Sequence, residues 1–249
     1  MFALRLLRCL PPKYWAGRHS LIHLLTPIRT MAIPKVIYQT YKTAQLPPVT
    51  RFFVNIMRRR NPHYQYEFYD DERIKQFFLD EYGPEVAAAY RRIAIGAAKA
   101  DFFRYAVLYR FGGIYLDIDG YTLKKLDNML LPDDSAVITS ERNPGLYVQW
   151  ALVYDKGHPF LKRTMEKVLD NIRHNRYPHD VHRMTGPSVY SAAINECIAE
   201  GIGGNYRVLG VDYNGFFKDK HPLNKGLYGR GEHWRKQQLE RPVLHLHQV

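Results

Sequence analysis

The stretch from Ala97 to Gly120 restricts the fold more than any other part of this 249-residue chain: an apolar helical pattern, a Gly-Gly pair, a short apolar run, then two acids one residue apart. Ala98, Phe102, Phe103, Tyr105, Ala106, Val107 and Leu108 cover most of a helix circumference, so the spacing predicts a helix over 97–111 that is buried on nearly every side. Gly112-Gly113 ends it, and Ile114-Tyr115-Leu116 reads as a buried strand running into Asp117-Ile118-Asp119. Asp101 and Arg104 stand three apart on this helix and must be satisfied inside the protein or by a ligand, because an unpaired buried charge costs several kcal/mol. A mutual salt bridge and a ligand-holding pair both satisfy that requirement.

The flanking sequence alternates strand and helix patterns. Val36 to Tyr41 is a β-rich run, Pro47-Pro48 opens a helix through Arg60, Tyr64 to Tyr69 is a second strand, and Asp70-Asp71-Glu72 caps the next helix. Helices are expected over 85–95, 160–174 and 187–200, and strands over 136–139, 146–154, 206–211 and 243–247. This alternation implies an α/β fold, a central sheet flanked by helices. In open sheets of this class ligands sit beyond the carboxyl ends of the strands, where Asp117 and Asp119 fall.

Two carboxylates this close repel at low effective dielectric, so the pair calls for a cation or a shared proton. Oxygen-only ligands point to Mg²⁺ or Mn²⁺ shared with substrate phosphates. Period two already puts both acids on one face of an extended strand, and Gly120 lets the backbone depart from that form so that both can reach one ion. A solvated strand-end turn is the alternative for a bare Asp-x-Asp.

The run Ala97–Asp119 resembles the D-x-D sugar-binding region of glycosyltransferase family 32, which includes Och1-like α-mannosyltransferases, inositol-phosphoceramide mannosyltransferases and bacterial capsular sugar transferases. Ile33-Pro34-Lys35-Val36-Ile37-Tyr38-Gln39-Thr40-Tyr41 is similar to that family's opening, with Tyr38 and Tyr41 where His and Trp are usual, and Thr185-Gly186-Pro187 is similar to its later T-G-P element. The resemblance implies a Rossmann-like GT-A fold with a mixed central sheet, binding a UDP- or GDP-linked sugar and transferring the sugar with retention to a glycolipid or saccharide acceptor. It implies that Asp119 binds the metal directly, that Asp117 contacts the ribose and the metal's hydration shell, and that His245 or His247 completes the shell. It also implies that Asp101 and Arg104 hold sugar hydroxyls, and that Gln39, Tyr41, Gly112, Gly113, Thr185, Gly186 and Pro187 line the substrate site, Tyr41 stacking on the base. No carboxylate stands out as a double-displacement nucleophile, which favours front-face departure.

Charge bears on partners. With 36 Lys and Arg against 24 Asp and Glu, the formal net charge is +12, which attracts acidic partners. Residues 1–30 contain Arg5, Arg8, Lys13, Arg18 and Arg29 and no acid, and Phe2, Leu6 and Leu10 share one helical face. This leader is expected to lie on an anionic membrane face or to be a disordered tail ahead of a single domain over 31–249. A peripheral position at the cytoplasmic membrane face follows, and two cysteines, Cys9 and Cys197, suit a reducing compartment. No nucleic-acid-binding motif accompanies the basic run Arg58-Arg59-Arg60. A haloacid-dehalogenase-like phosphatase is the rival enzyme class, since Leu116 to Thr122 comes close to its D-x-D-G-T nucleophile motif, with the threonine one place late.

Overall fold

The computed structural model describes residues 33–223 and 233–245. Strands β1 (Val36–Thr40) and β2 (Gln65–Tyr69) are joined by helix α1 (Pro48–Arg60), and α2 (Asp71–Arg92) and α3 (Gly96–Phe111) lead into β3 (Gly113–Leu116). A two-residue strand β4 (Tyr121–Thr122) is followed by β5 (Ala136–Thr139), β6 (Ala151–Tyr154) and the helices α4 (Pro159–His174), α5 (Val181–Met184) and α6 (Pro187–Ala199). Then come β7 (Tyr206–Leu209), the short α7 (Val211–Gly215), β8 (Phe217–Lys218) and α8 (Trp234–Glu240). The main sheet has the order β2-β1-β3-β6-β5-β7, and β4 pairs with β8 in a separate ribbon. Only β6 runs against its neighbours; β2, β1, β3, β5 and β7 therefore deliver their carboxyl ends to one edge.

Side-chain alternation sorts the sheet into two buried faces. Tyr38, Tyr115, Leu152 and Tyr154 pack with residues of α2, α3, α4 and α6, whereas Ile37, Ile114, Leu116 and Val153 pack with Met57 of α1, Leu126 and Tyr213. β1 lies between β2 and β3, so the chain leaves it to one side and returns on the other; the crevice between the ends of β1 and β3 is where such sheets bind ligands.

Several expected elements change on folding. The helix expected over 85–95 is the second half of α2, which bends at Gly83 (φ 79°) ahead of Pro84 and stops at Arg92 because Ile93 turns extended to bridge Leu244. The strand expected over 146–154 shortens to β6: Tyr147 makes one bridge to Ser140, and the chain from there to Trp150 passes over the site. Of the strand expected over 243–247, the described residues show that Leu244 bridge, and residues 246 and 247, His247 included, lie outside the described residues, as does the leader 1–30. The brief β4, β8, α5, α7 and α8 have no counterpart among the sequence expectations. α7 is unusual: Asp212, Tyr213 and Asn214 are consecutively left-handed, held by Tyr213 Oη donating to the Ala151 carbonyl (2.6 Å) and by Asn214 Oδ1 accepting from Gly210 N (2.9 Å). No helix among the described residues is long and apolar enough to cross a membrane.

Gly112 and Gly113 occupy the amino end of β3, about 13 Å by strand rise from Asp117. Both have positive φ, and a Cβ on Gly113 would stand 2.8 Å from the Val36 carbonyl oxygen. They close the α3–β3 turn at the sheet edge opposite the crevice, which corrects the expectation that they touch substrate. Gly113→Ala should therefore lower the urea midpoint, by roughly 1–3 kcal/mol of stability, while the folded protein keeps its ligand affinity. A ligand-binding defect without a stability loss would restore the glycine to the site.

Candidate active site

Arg104 is the centre of the site. It is 4% exposed, on the face of α3 that meets β3. One guanidinium nitrogen pairs with Asp117 Oδ1 (3.0 Å) and Asp101 Oδ1 (3.3 Å), another donates to the Gln149 carbonyl (2.8 Å), and Nε donates to the Ala100 carbonyl (3.2 Å). The Tyr115 ring lies 4.7 Å beneath the guanidinium. Strand periodicity explains that convergence, since Tyr115 and Asp117 are two residues apart and both point toward α3, where Tyr115 Oη donates to Asp117 Oδ1 (3.0 Å).

Asp101, 5% exposed, accepts from the Thr185 hydroxyl at 2.9 Å, so the T-G-P turn reaches the pair on α3 directly. Thr185 also accepts at its carbonyl from Tyr105 Oη (2.9 Å), and the Gln149 amide donates to that same hydroxyl. Gly186 and Pro187 serve the turn itself: a Cβ on Gly186 would meet His182 Cα at 2.9 Å, and Pro187 is the first residue of α6. From the other side, buried Gln39 donates to the Asp117 carbonyl (3.0 Å) and accepts from Tyr66 Oη (3.2 Å), tying the end of β1 to the end of β3.

At Asp117 the strand becomes a turn closed by Gly120 N–H donating to the Asp117 carbonyl (2.8 Å). A Cβ on Gly120 would approach Leu116 Cδ1 to 2.7 Å and the Asp117 carbonyl oxygen to 3.1 Å, so a larger residue there requires Leu116 to shift. Asp119 is 6% exposed, Ile118 between the acids packs on Val54 of α1, and Tyr41 joins that cluster half-buried. The Asp117 side chain remains 29% exposed, open to the crevice. Burial raises the pKa of Asp117, opposed by Arg104 and by the Tyr115 hydroxyl. Burial pushes Asp101 further, to about 6, against Arg104 and Thr185.

The stretch 47–137 matches the family model described as a glycosyltransferase sugar-binding region containing the DXD motif. This part of the chain is similar to the DXD sugar-binding regions of glycosyltransferases. Relatives include the initiation-specific alpha-1,6-mannosyltransferase of Schizosaccharomyces pombe, 28% identical over 193 residues that span 65% of this chain and 48% of the relative. Inositol phosphoceramide mannosyltransferase 3 of the same yeast is 29% identical over 160 residues, 64% of this chain and 44% of its own. The chain spans about half the length of these relatives. Among solved structures, the PaToxG glycosyltransferase superposes with a TM-score of 0.56 at 20% identity, covering 86% of this chain and 81% of that one. The fold is the α/β GT-A fold, a mixed six-stranded sheet flanked by helices.

The DXD turn has the donor set of a magnesium or manganese site in part. Asp101 and Asp117, when ionised, share the Arg104 guanidinium and leave that trio one negative charge in excess beside Asp119. Among the described residues no three His, Cys, Asp or Glu side chains gather as a metal cage. A cation there would keep coordination positions for phosphate and water, the usual arrangement for Mg²⁺. His245 does not join the acids in such a group; it is exposed beyond the Ile93–Leu244 bridge, its N–H donating to the Arg92 carbonyl (2.8 Å). Buried His221 does lie against the turn: its backbone N–H donates to the Asp119 carbonyl (2.8 Å), and both ring nitrogens are without a partner. Sequence reasoning passed over Tyr115, Gln149 and His221. Period two from Asp117 signals the first, and nothing local signals the others.

The raised pKa of Asp101 has a measurable consequence. The folded protein holds this proton up to about pH 6 and the unfolded chain releases it near 3.8, so stability falls as pH rises through that window. Between pH 4.5 and 7.5 the wild type should lose roughly 2 kcal/mol more than Asp101→Asn in chemical denaturation. Equal losses would mean that Arg104 and Thr185 fully offset the burial.

Proposed function

We propose that this chain is a metal-dependent, retaining glycosyltransferase that moves a hexosyl unit from a nucleoside-diphosphate sugar to a glycolipid or saccharide acceptor. The observation that carries this reading is the Arg104–Asp117 pair, 3.0 Å apart, at the mouth of the β1–β3 crevice. Breaking a sugar–phosphate bond leaves growing negative charge on the diphosphate, and a preorganised guanidinium in a desolvated site stabilises such charge without reorganising. Arg104 cannot swing away, because Gln149, Ala100, Asp101 and Tyr115 fix it. A Mn²⁺ or Mg²⁺ ion on Asp119 and Asp117, when bound, supplies Lewis-acid stabilisation of the same leaving group.

The protein's own groups orient the sugar. Asp101 presents a carboxylate whose two oxygens are engaged by Thr185 and Arg104, which suits it to orienting sugar hydroxyls and weakens it as a nucleophile, in keeping with front-face departure with retention. Half-buried Tyr41, at the end of β1, offers an aromatic surface for a nucleobase. The mannosyltransferase relatives support mannose as the sugar and inositol phosphoceramide or a glycan as the acceptor. A UDP-bound toxin glycosyltransferase domain with a TM-score of 0.50 at 10% identity makes UDP, beside GDP, a nucleotide to test. An acceptor in a membrane suits the outer face of α1, where Phe52 is 61% exposed beside Arg51, Arg58 and Arg59.

Screening UDP- and GDP-sugars by thermal shift, with and without Mn²⁺, should find one donor that raises the midpoint in a metal-dependent way. With that donor, Asp119→Ala and Asp117→Ala should lose transfer by at least about a hundredfold while remaining folded. Wild-type turnover by Asp119→Ala would contradict the assignment. Arg104→Lys should also be severely impaired, since a point charge cannot span two carboxylates and a carbonyl as a planar fork does.

A further inference from the structure

His221 is 2% exposed, yet both of its ring nitrogens lack a hydrogen-bond partner. Native structures rarely leave a buried polar group in that state unless a water, an ion or a ligand completes it. Among the described residues, the other histidine with an orphaned nitrogen, His158, uses Nδ1 to accept from Phe160 N–H at the start of α4, a structural role.

The fold brings His221 to the acids deliberately. β8 pairs antiparallel with β4, and the chain beyond Lys218 runs back alongside Gly120 and Asp119, where the His221 N–H donates to the Asp119 carbonyl at 2.8 Å. The imidazole stacks on Phe53 of α1 with centroids 4.3 Å apart and an interplanar angle of 10°, which fixes the ring plane. Feeding this segment is α7, whose three consecutive left-handed residues are a conformation that L-residues avoid and that is retained where the surroundings impose it. Among the described residues the ring does not join the acids in a group of three metal donors. What a neutral imidazole still offers is one N–H donor, and a diphosphate held by a cation at Asp119 would supply the acceptor.

We propose that His221 is a donor-binding residue whose ring N–H hydrogen-bonds an oxygen of the sugar donor's diphosphate. The proposal rests on the glycosyltransferase reading, and the experiment separates the two. Calorimetric titrations would use MnCl₂ alone, UDP and GDP in the presence of Mn²⁺, and uridine and guanosine as ligands without phosphate. His221→Phe keeps the stack on Phe53 and removes both nitrogens; His221→Gln restores a side-chain N–H, and circular dichroism melts of both report folding. The expected result is a five- to tenfold loss of nucleoside-diphosphate affinity in His221→Phe, partial recovery in His221→Gln, and unchanged binding of Mn²⁺ alone and of the nucleosides. If His221→Phe does not fold, recovery is judged from His221→Gln against His221→Ala. Unchanged diphosphate affinity in the folded variants overturns the proposal. Loss of Mn²⁺ binding also overturns it, by making the ring a metal ligand. A wild-type protein that binds neither UDP nor GDP defeats the glycosyltransferase reading and this assignment together.

Discussion

A guanidinium shut away from water organises this protein. Arg104 is almost wholly desolvated, and such a charge is tolerated only when its donors are matched by acceptors in good geometry. Asp101 and Ala100 on its own helix, Asp117 at the end of the central strand and Gln149 on the crossing chain provide them, with the Tyr115 ring beneath. Removing the arginine would strand two carboxylates at a cost of about 3–5 kcal/mol. Truncating a carboxylate at the open rim of the crevice costs less, since Asp117 keeps contact with solvent. The same constraint fixes the position of the acids: the end of β3 cannot drift while Asp117 is held by Arg104 and Tyr115 through its side chain and by Gln39 through its carbonyl.

The two ends of the sheet divide the labour. At the amino end of β3, Gly112 and Gly113 let α3 turn tightly into the strand, with Pro34 and Val36 packed against them. At the carboxyl end, the Asp117–Gly120 turn, the T-G-P turn and the segment through His221 converge from three distant parts of the chain. Burial that raises the pKa of Asp101 is the same burial that makes Arg104 effective, so stability is given up where charge must be presented.

Local pattern made much of this legible. The apolar circumference of residues 98–108 required a buried helix, which in turn required partners for Asp101 and Arg104; both the mutual pair and the contact with Asp117 are present. The alternation of β1, α1 and β2 gave the parallel half of the sheet, and β3 followed from its apolar run. What local pattern could not supply was long-range placement. Gly112 and Gly113 adjoin the motif in sequence, but a strand's rise carries them to the opposite edge. The strand expected through 146–154 shortened because Gln149 turns its carbonyl to Arg104, a demand made 45 residues away. His221 became part of the acid turn through the pairing of two-residue strands, too short to leave a periodic signal.

The central claim is that the Asp117–Asp119 turn and Arg104 together hold a cation and the diphosphate it carries. Anomalous scattering from crystals soaked with MnCl₂ and a nucleoside diphosphate tests it most directly. The account predicts a manganese peak within about 2.5 Å of an Asp119 carboxylate oxygen, with the diphosphate on the Arg104 side of the turn. A fully bound nucleotide whose manganese lies away from both acids, or whose phosphates point toward open solvent, would contradict it.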